Sequence, residues 1–241
     1  MHMKVVVILP TYNEKENINL ILDKIINVFN DIKMDGNIVV VDDNSPDGTG
    51  EIVKDYKEKH KNRNIYLIKS ERRGLGDAYI RGFKFVFDKI KSDVIITMDS
   101  DLSHDPNEIP KMLDRIKVND VIIGSKYVYG GNIGGFNFYR RWISKTGNFL
   151  ARKVIGIKIN DCTSGFRAIR TSFLKKINFE RLNKKGYSFL LSLSYELYFN
   201  GAKMEEIPIV FKDRERGKTK LKLFDIIECF INFLKLCLRR L

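Results

Sequence analysis

Two periods of apolar residues alternate along the chain. Lys4–Leu9 (KVVVIL) carries five consecutive apolar residues, as expected of a strand covered on both faces. Ile18, Ile21, Leu22, Ile25, Ile26 and Phe29 follow at helical spacing within Asn17–Phe29, which predicts an amphipathic helix. The alternation continues with strands at Asn37–Val41, Asn64–Ile68, Asp93–Met98 and Asp120–Ile123. Helices are predicted between them at Gly50–Lys61, Asp77–Ile90 and Pro106–Ile116. Strands joined by helices pair in parallel through right-handed crossovers. The predicted class is therefore α/β: a Rossmann-like, doubly wound, mostly parallel sheet with helices on both faces.

Beyond residue 125 the pattern loosens. Gly130–Gly135 (GGNIGG) reads as a mobile loop. A helix from Tyr139 to Ile155, a short Asp161–Arg167 segment, a helix at Phe189–Phe199 and a strand near Glu206–Phe211 follow. These elements are too few to bury a core of their own, so a single domain is predicted over residues 1–220. In Leu221–Leu241, Asp225, Glu228, Asn232, Lys235 and Arg239 form one polar stripe on an otherwise apolar helix. Such a helix can lie in a membrane interface, dock on a membrane-spanning partner or pack on its own domain.

Composition narrows the class. Of 241 residues, 44% are hydrophobic and 30% charged, far from the profile of a disordered chain. No stretch reaches the roughly 18 apolar residues of a membrane span. The Val5–Leu9 run is too short for a secretory signal. Three scattered cysteines (Cys162, Cys229, Cys237) make no disulfide framework and suit a reducing, cytoplasmic compartment. The net charge of +13 is uneven: residues 1–120 hold 19 Lys+Arg against 21 Asp+Glu, and residues 121–241 hold 24 against 9. The second half is thus expected to meet an anion. Nucleic acid is a poor candidate for that anion, because the predicted strand ends are acidic.

In open parallel sheets ligands bind beyond the carboxyl ends of the strands. Here those ends run into Pro10–Glu14 (PTYNE), Asp42–Thr49 (DDNSPDGT), Ser70–Gly76 (SERRGLG) and Asp99–His104 (DSDLSH). Asp99 and Asp101, two residues apart at a strand exit, can present both carboxylates to one hard cation such as Mg²⁺ or Mn²⁺. There is no P-loop sequence and no complete G-x-G-x-x-G. A bound nucleotide would then be held through base, ribose and a metal-bridged diphosphate, with Asp42 and Asp43 as candidate acceptors for base and ribose hydrogens. Turn and helix-cap chemistry is the other reading of those two.

These segments, with Gly74–Ala78 (GLGDA) and Ser164–Arg167 (SGFR), resemble the family 2 glycosyltransferases of the GT-A fold. Ser45–Thr49 (SPDGT), the Asp-x-Asp-Leu-Ser-His form and Asp213-Arg214 followed by Gly217–Leu221 (GKTKL) give a particular similarity to the dolichyl-phosphate mannose synthases. The likeness runs from Lys4 to about Leu221. It implies an inverting transfer of mannose from GDP-mannose to dolichyl (polyprenyl) phosphate. Pro10, Tyr12, Glu14, Val41 and Asp43 would line the guanine and ribose pocket. Asp99, Asp101 and Ser103 would hold Mg²⁺ or Mn²⁺, with Ser100 nearby. Lys126, Arg214 and Lys220 would face the donor diphosphate and, with Asp101, carry catalysis. Arg140 and Ser144 would meet the lipid phosphate.

Two positions depart from the family. Lys126 stands where arginine is usual, and Ser192 where glutamate is frequent, with Glu196 one turn later. The expected setting is the cytoplasmic face of a membrane, with a small membrane-anchoring subunit as a possible partner. A polyprenyl-phosphate glucosyltransferase using a UDP sugar is the neighbouring reading, and a non-catalytic, membrane-associated sugar-nucleotide-binding protein the one from another class.

Overall fold

The structure is a computed structural model, and it describes residues 3–71, 73–134, 148–149, 152–153, 156–183 and 186–212. Its elements run in the order β1 (Val5–Thr11), α1 (Ile18–Asp31), β2 (Asn37–Asp42), α2 (Thr49–Lys59), β3 (Asn64–Lys69), α3 (Leu75–Lys89) and β4 (Val94–Thr97). A 3₁₀ turn at Pro106–Glu108 leads into α4 (Ile109–Arg115). Then come β5 (Val121–Ser125), β6 (Asn132–Ile133), β7 (Arg167–Arg170), α5 (Thr171–Leu174), α6 (Gly186–Phe199), β8 (Met204–Pro208) and β9 (Val210–Phe211).

Seven strands form the main sheet in the order β3-β2-β1-β4-β7-β5-β8. The pairs β1–β2, β2–β3, β1–β4 and β5–β8 are parallel. Alternation of side chains along each strand sorts the core into two layers. Val6, Ile8, Val39, Val41 and Ile95 face Tyr79 and Phe83 of α3 and Phe189 and Leu193 of α6. Val5, Val7, Leu9, Val40 and Ile96 face Ile18, Ile21 and Leu22 of α1, Val53 of α2 and Met112 of α4. The continuous apolar runs are thus explained: both faces of the strands are covered.

The expectations for the first half hold to within a few residues. The second half brings three differences. First, Arg167–Arg170 enters the sheet as β7, antiparallel to both β4 and β5. Four residues that begin and end in arginine carry no hydrophobic signature of a central strand. Second, the Gly-rich stretch is not wholly irregular: Asn132–Ile133 pairs in parallel with Val210–Phe211. Third, the single strand expected near Glu206–Phe211 is two strands. Ile209 makes the handover, its N–H donating to the Ser125 carbonyl at 3.0 Å and its carbonyl accepting from the Asn132 N–H at 3.0 Å. The handover falls immediately after Pro208. The helix expected over Tyr139–Ile155 lies outside the described residues except at Asn148, Phe149, Arg152 and Lys153, and Leu221–Leu241 lies outside them entirely.

Candidate active site

The carboxyl ends of β1, β2, β4 and β5 meet along one edge of the sheet. At the exit of β1, Pro10 stands in register with Val41 of β2, and the Ser100 hydroxyl donates to the Pro10 carbonyl at 3.0 Å. The chain then turns at Asn13, whose φ of 55° lies in the left-handed region. The Asn13 N–H donates to Ser45 Oγ at 3.0 Å and the Glu14 N–H to Thr49 Oγ1 at 3.0 Å. The buried Glu14 carboxylate accepts from Asn17 Nδ2 at 2.8 Å. Tyr12 is half-buried between them. The first two strand exits therefore form one hydrogen-bonded unit.

The two aspartates at the end of β2 divide their work. Asp42 organises the following turn: its carboxylate accepts from Ser45 Oγ at 2.5 Å, the Ser45 N–H at 3.2 Å and Thr11 Oγ1 at 3.4 Å. Asp47 accepts from the Thr49 N–H and hydroxyl and from the Lys15 N–H. Its partial burial opposes ionisation, but these hydrogen bonds outweigh it and hold the carboxyl below the ordinary value. Asp43 points elsewhere. It pairs with the Arg81 guanidinium of α3 and accepts from the Gly74 N–H at 3.1 Å. Arg81 also meets Asp77 at 3.2 Å. The Val41 side chain is fully buried in the core, which leaves its backbone as the part that can face a ligand.

The acidic centre lies beyond β4. Asp99 is half-buried, while Ser100, Asp101, Ser103 and His104 are buried. The turn passes through Leu102 at φ 65°, an unusual conformation for a leucine. The Ser103 N–H donates to Asp101 Oδ1 at 3.1 Å, and the Asp99 N–H donates to His104 Nδ1 at 3.1 Å. A Cβ built on Gly165 would stand 3.0 Å from Asp99 Oδ1. Glycine at that position keeps the side of the carboxylate clear. The two carboxylates and the Ser103 hydroxyl, all within one turn, are hard oxygen donors. Among the described residues no third His, Cys, Asp or Glu completes a cluster of three. Few protein carboxylates, with waters and phosphates filling the rest, is the arrangement Mg²⁺ and Mn²⁺ accept. The residues present thus fit such an ion.

The wall next to this centre is built by residues 161–167. The Lys126 ammonium, 9% exposed, sits 2.7 Å from Asp161 Oδ2, which is fully buried. The departure from arginine therefore has a structural counterpart: one point charge matched by one carboxylate, with the Tyr127 and Phe211 rings beside the ammonium. Glu206 of β8 holds the Asp161 N–H at 2.9 Å and the Asn160 N–H at 2.8 Å. Arg167 is fully buried and donates to the carbonyls of Ser164, Cys162 and Leu190 at 2.7, 2.8 and 3.1 Å. Burial pulls its pKa down to about 10. Tyr79 is buried in the same layer. Its hydroxyl is pushed well up by burial, with the Asp99 charge adding to the effect.

Of the sequence-derived candidates, the structure brings Pro10, Tyr12, Glu14, Val41, Asp43, Asp99, Ser100, Asp101, Ser103 and Lys126 to one edge. Arg140, Ser144, Arg214 and Lys220 lie outside the described residues. Ser192 bonds back along its own helix to the Ser188 carbonyl at 2.8 Å. The Glu196 carboxylate meets Asn200 Nδ2 at 3.4 Å. Sequence reading missed Arg81, Asp161 and the roles of His104 and Gly165. The last two stand inside motifs, but nothing in their spacing announces a partner.

Comparison with known proteins shows the family. The description Glycosyl transferase family 2 matches residues 6–178, and the chain belongs to that family. Among its relatives, polyprenol monophosphomannose synthase of Mycolicibacterium smegmatis is 37% identical over 226 residues, covering 93% of this chain and 83% of its own length. Undecaprenyl-phosphate mannosyltransferase of Micrococcus luteus is 34% identical, covering 95% and 92%. Dolichol-phosphate mannosyltransferase of Pyrococcus furiosus is 38% identical over 94% of this chain and 61% of its own.

Solved structures give the fold. Glucosyl-3-phosphoglycerate synthase of Mycobacterium tuberculosis, in complex with Mn²⁺, UDP-glucose and phosphoglyceric acid, aligns at a TM-score of 0.70. The identity is 17%, over 98% of this chain and 80% of that one. Mannosyl-3-phosphoglycerate synthase of Rubrobacter xylanophilus aligns at 0.70, with 15% identity over 99% and 74%. The chain has the GT-A architecture.

Proposed function

We propose that this glycosyltransferase moves mannose from GDP-mannose to a dolichyl or other polyprenyl phosphate, with inversion at the anomeric carbon. The observation that carries the reading is the Asp99–Asp101 pair at the exit of β4, in a chain that matches polyprenyl-phosphate mannosyltransferases over more than nine-tenths of its length.

The chemistry follows from the residues. The nucleotide would lie against the β1 and β2 exits, beside Pro10, Tyr12, Glu14, the Val41 backbone and Asp43. Asp99, Asp101 and Ser103 would hold Mg²⁺ or Mn²⁺, which when bound supplies positive charge to the departing diphosphate. Ser100, anchored to the Pro10 carbonyl, ties the acidic turn to the nucleotide loop. Arg214 and Lys220 are proposed to add cations on the diphosphate. Lys126 would do so from its place beside Asp161, and Arg140 and Ser144 would receive the acceptor phosphate. A phosphate oxygen is already anionic at neutral pH, so the nucleophile needs no general base. Catalysis then rests on positioning and on stabilising the leaving group.

The substrate implies a membrane surface, and Leu221–Leu241 is proposed as the segment that reaches it or a membrane partner on the cytoplasmic side. Among the described residues no helix is long and apolar enough to cross a membrane.

A donor panel tests the reading. Purified full-length protein is supplied with Mg²⁺ or Mn²⁺, dolichyl phosphate in detergent, and GDP-mannose, UDP-glucose or UDP-N-acetylglucosamine. Lipid-linked mannose from GDP-mannose alone is expected. Lipid-linked glucose from UDP-glucose instead would move the assignment to the neighbouring activity.

A further inference from the structure

We infer that His104 is a positioning residue for the Asp99–Asp101 pair, acting through the Asp99 backbone amide. The ring is only 2% exposed and is held from several sides. Phe166 stacks on it, with centroids 5.2 Å apart and planes at 27°. Phe211 meets it edge-on at 5.4 Å and 74°. The Asp99 N–H donates to Nδ1 at 3.1 Å, which places the ring hydrogen on Nε2. Nδ1 is thus engaged by a donor and stands 3.8 Å from Asp99 Oδ2. With its lone pair taken by the Asp99 N–H, Nδ1 is not offered as a ligand to an ion on the carboxylates.

The geometry explains why a histidine suits this place. The turn from Asp99 to His104 goes through Leu102 in a left-handed conformation, which is costly for a side-chain-bearing residue. Two bonds close that turn: Asp99 N–H to His104 Nδ1, and Ser103 N–H to Asp101 Oδ1. One fixes the backbone that carries Asp99 and the other fixes the Asp101 carboxylate. Any aromatic ring would fill the slot between Phe166 and Phe211, but only one with an acceptor satisfies the Asp99 N–H. Gly165 serves the same arrangement. A Cβ there would lie 3.0 Å from Asp99 Oδ1 and 3.5 Å from His104 Cε1, so one glycine gives room to both groups.

This inference rests on the reading of Asp99 and Asp101 as ligands of a divalent ion, so the test measures that first. Binding of Mn²⁺ to the full-length protein with GDP is followed by the electron paramagnetic resonance of free Mn²⁺. The wild type is compared with His104→Phe, which keeps the ring and loses the acceptor, and His104→Asn, which keeps an acceptor near Nδ1 and loses the ring contacts. His104→Phe is expected to weaken Mn²⁺ by about tenfold or more, as for a lost partner one layer behind a metal. His104→Asn is expected to stay within about threefold of wild type, although it has the lower melting temperature. His104→Leu repeats the acceptor-free case should the phenylalanine variant not fold.

Equal Mn²⁺ affinity in wild type and His104→Phe overturns the inference while leaving the metal reading intact. So does an affinity loss that follows melting temperature, with Asn worse than Phe, because His104 then serves packing alone. A wild type that binds no Mn²⁺ overturns the metal reading and this inference together.

Discussion

At the scale of single residues, Gly165 and Cys162 separate chemistry from packing. Gly165→Ala keeps the fold but pushes a methyl group against the Asp99 carboxylate. It is expected to lower mannosyl transfer by about tenfold, with a melting temperature near that of wild type. An unchanged rate would show that the carboxylate has room to move. Cys162 offers a pH test. Burial pushes its thiol up to about 12. The folded state thus binds this proton more tightly than the unfolded chain, whose thiol titrates near 8.5. Its contribution to stability is complete below that value and is lost as pH climbs toward 12. With Cys229 and Cys237 replaced by serine, a thiol reagent at pH 8 is expected to label no native protein and one site per chain after unfolding. The acidic pair was legible in the sequence because aspartates at i and i+2 just past an apolar strand can present both carboxylates to one hard cation. The Asp43–Arg81 pair was not, because the partners are 38 residues apart and no local pattern joins them.

At the scale of elements, buried charge holds the active-site wall together. Arg167 braces residues 161–167 through the Cys162 and Ser164 carbonyls and ties them to α6 through the Leu190 carbonyl. Arg167→Ala takes the guanidinium from the Ser164 carbonyl, while the Cys162 and Leu190 carbonyls keep the Ser194 hydroxyl, so the cost is about 1–3 kcal/mol for the group left unpaired. Urea unfolding is expected to show a loss of about 1–3 kcal/mol. A loss under about 1 kcal/mol would mean that water replaces the guanidinium readily. Asp161→Asn strands the Lys126 ammonium and is expected to cost about 3 kcal/mol. The same buried charges explain why β7 escaped sequence reading. Its two arginines look like surface residues, yet Arg167 is buried under α6 and Arg170 caps carbonyls of Ile116, Lys117 and Asn119. β1, β2 and β4 were legible for the opposite reason: nothing but burial on both faces accounts for their runs of Val and Ile.

At the scale of the whole molecule, seven strands and two helical layers bring the ends of β1, β2, β4 and β5 to one edge, and chemistry collects there. The class of fold was readable because each strand–helix unit declares its own period. The antiparallel insertion and the paired β6–β9 were not, since they depend on contacts between distant segments. The acidic first half and basic second half suit the proposed pairing of a divalent ion with phosphates. The central claim is that the Asp99–Asp101 edge transfers mannose to a polyprenyl phosphate. The most direct measurement compares wild type with Asp101→Ala for lipid-linked mannose formed from GDP-mannose and dolichyl phosphate, with folding checked by circular dichroism. The account predicts product with wild type and a loss of more than about a hundredfold in the folded variant. Equal transfer by the two proteins, or none by wild type with either metal ion, would contradict it.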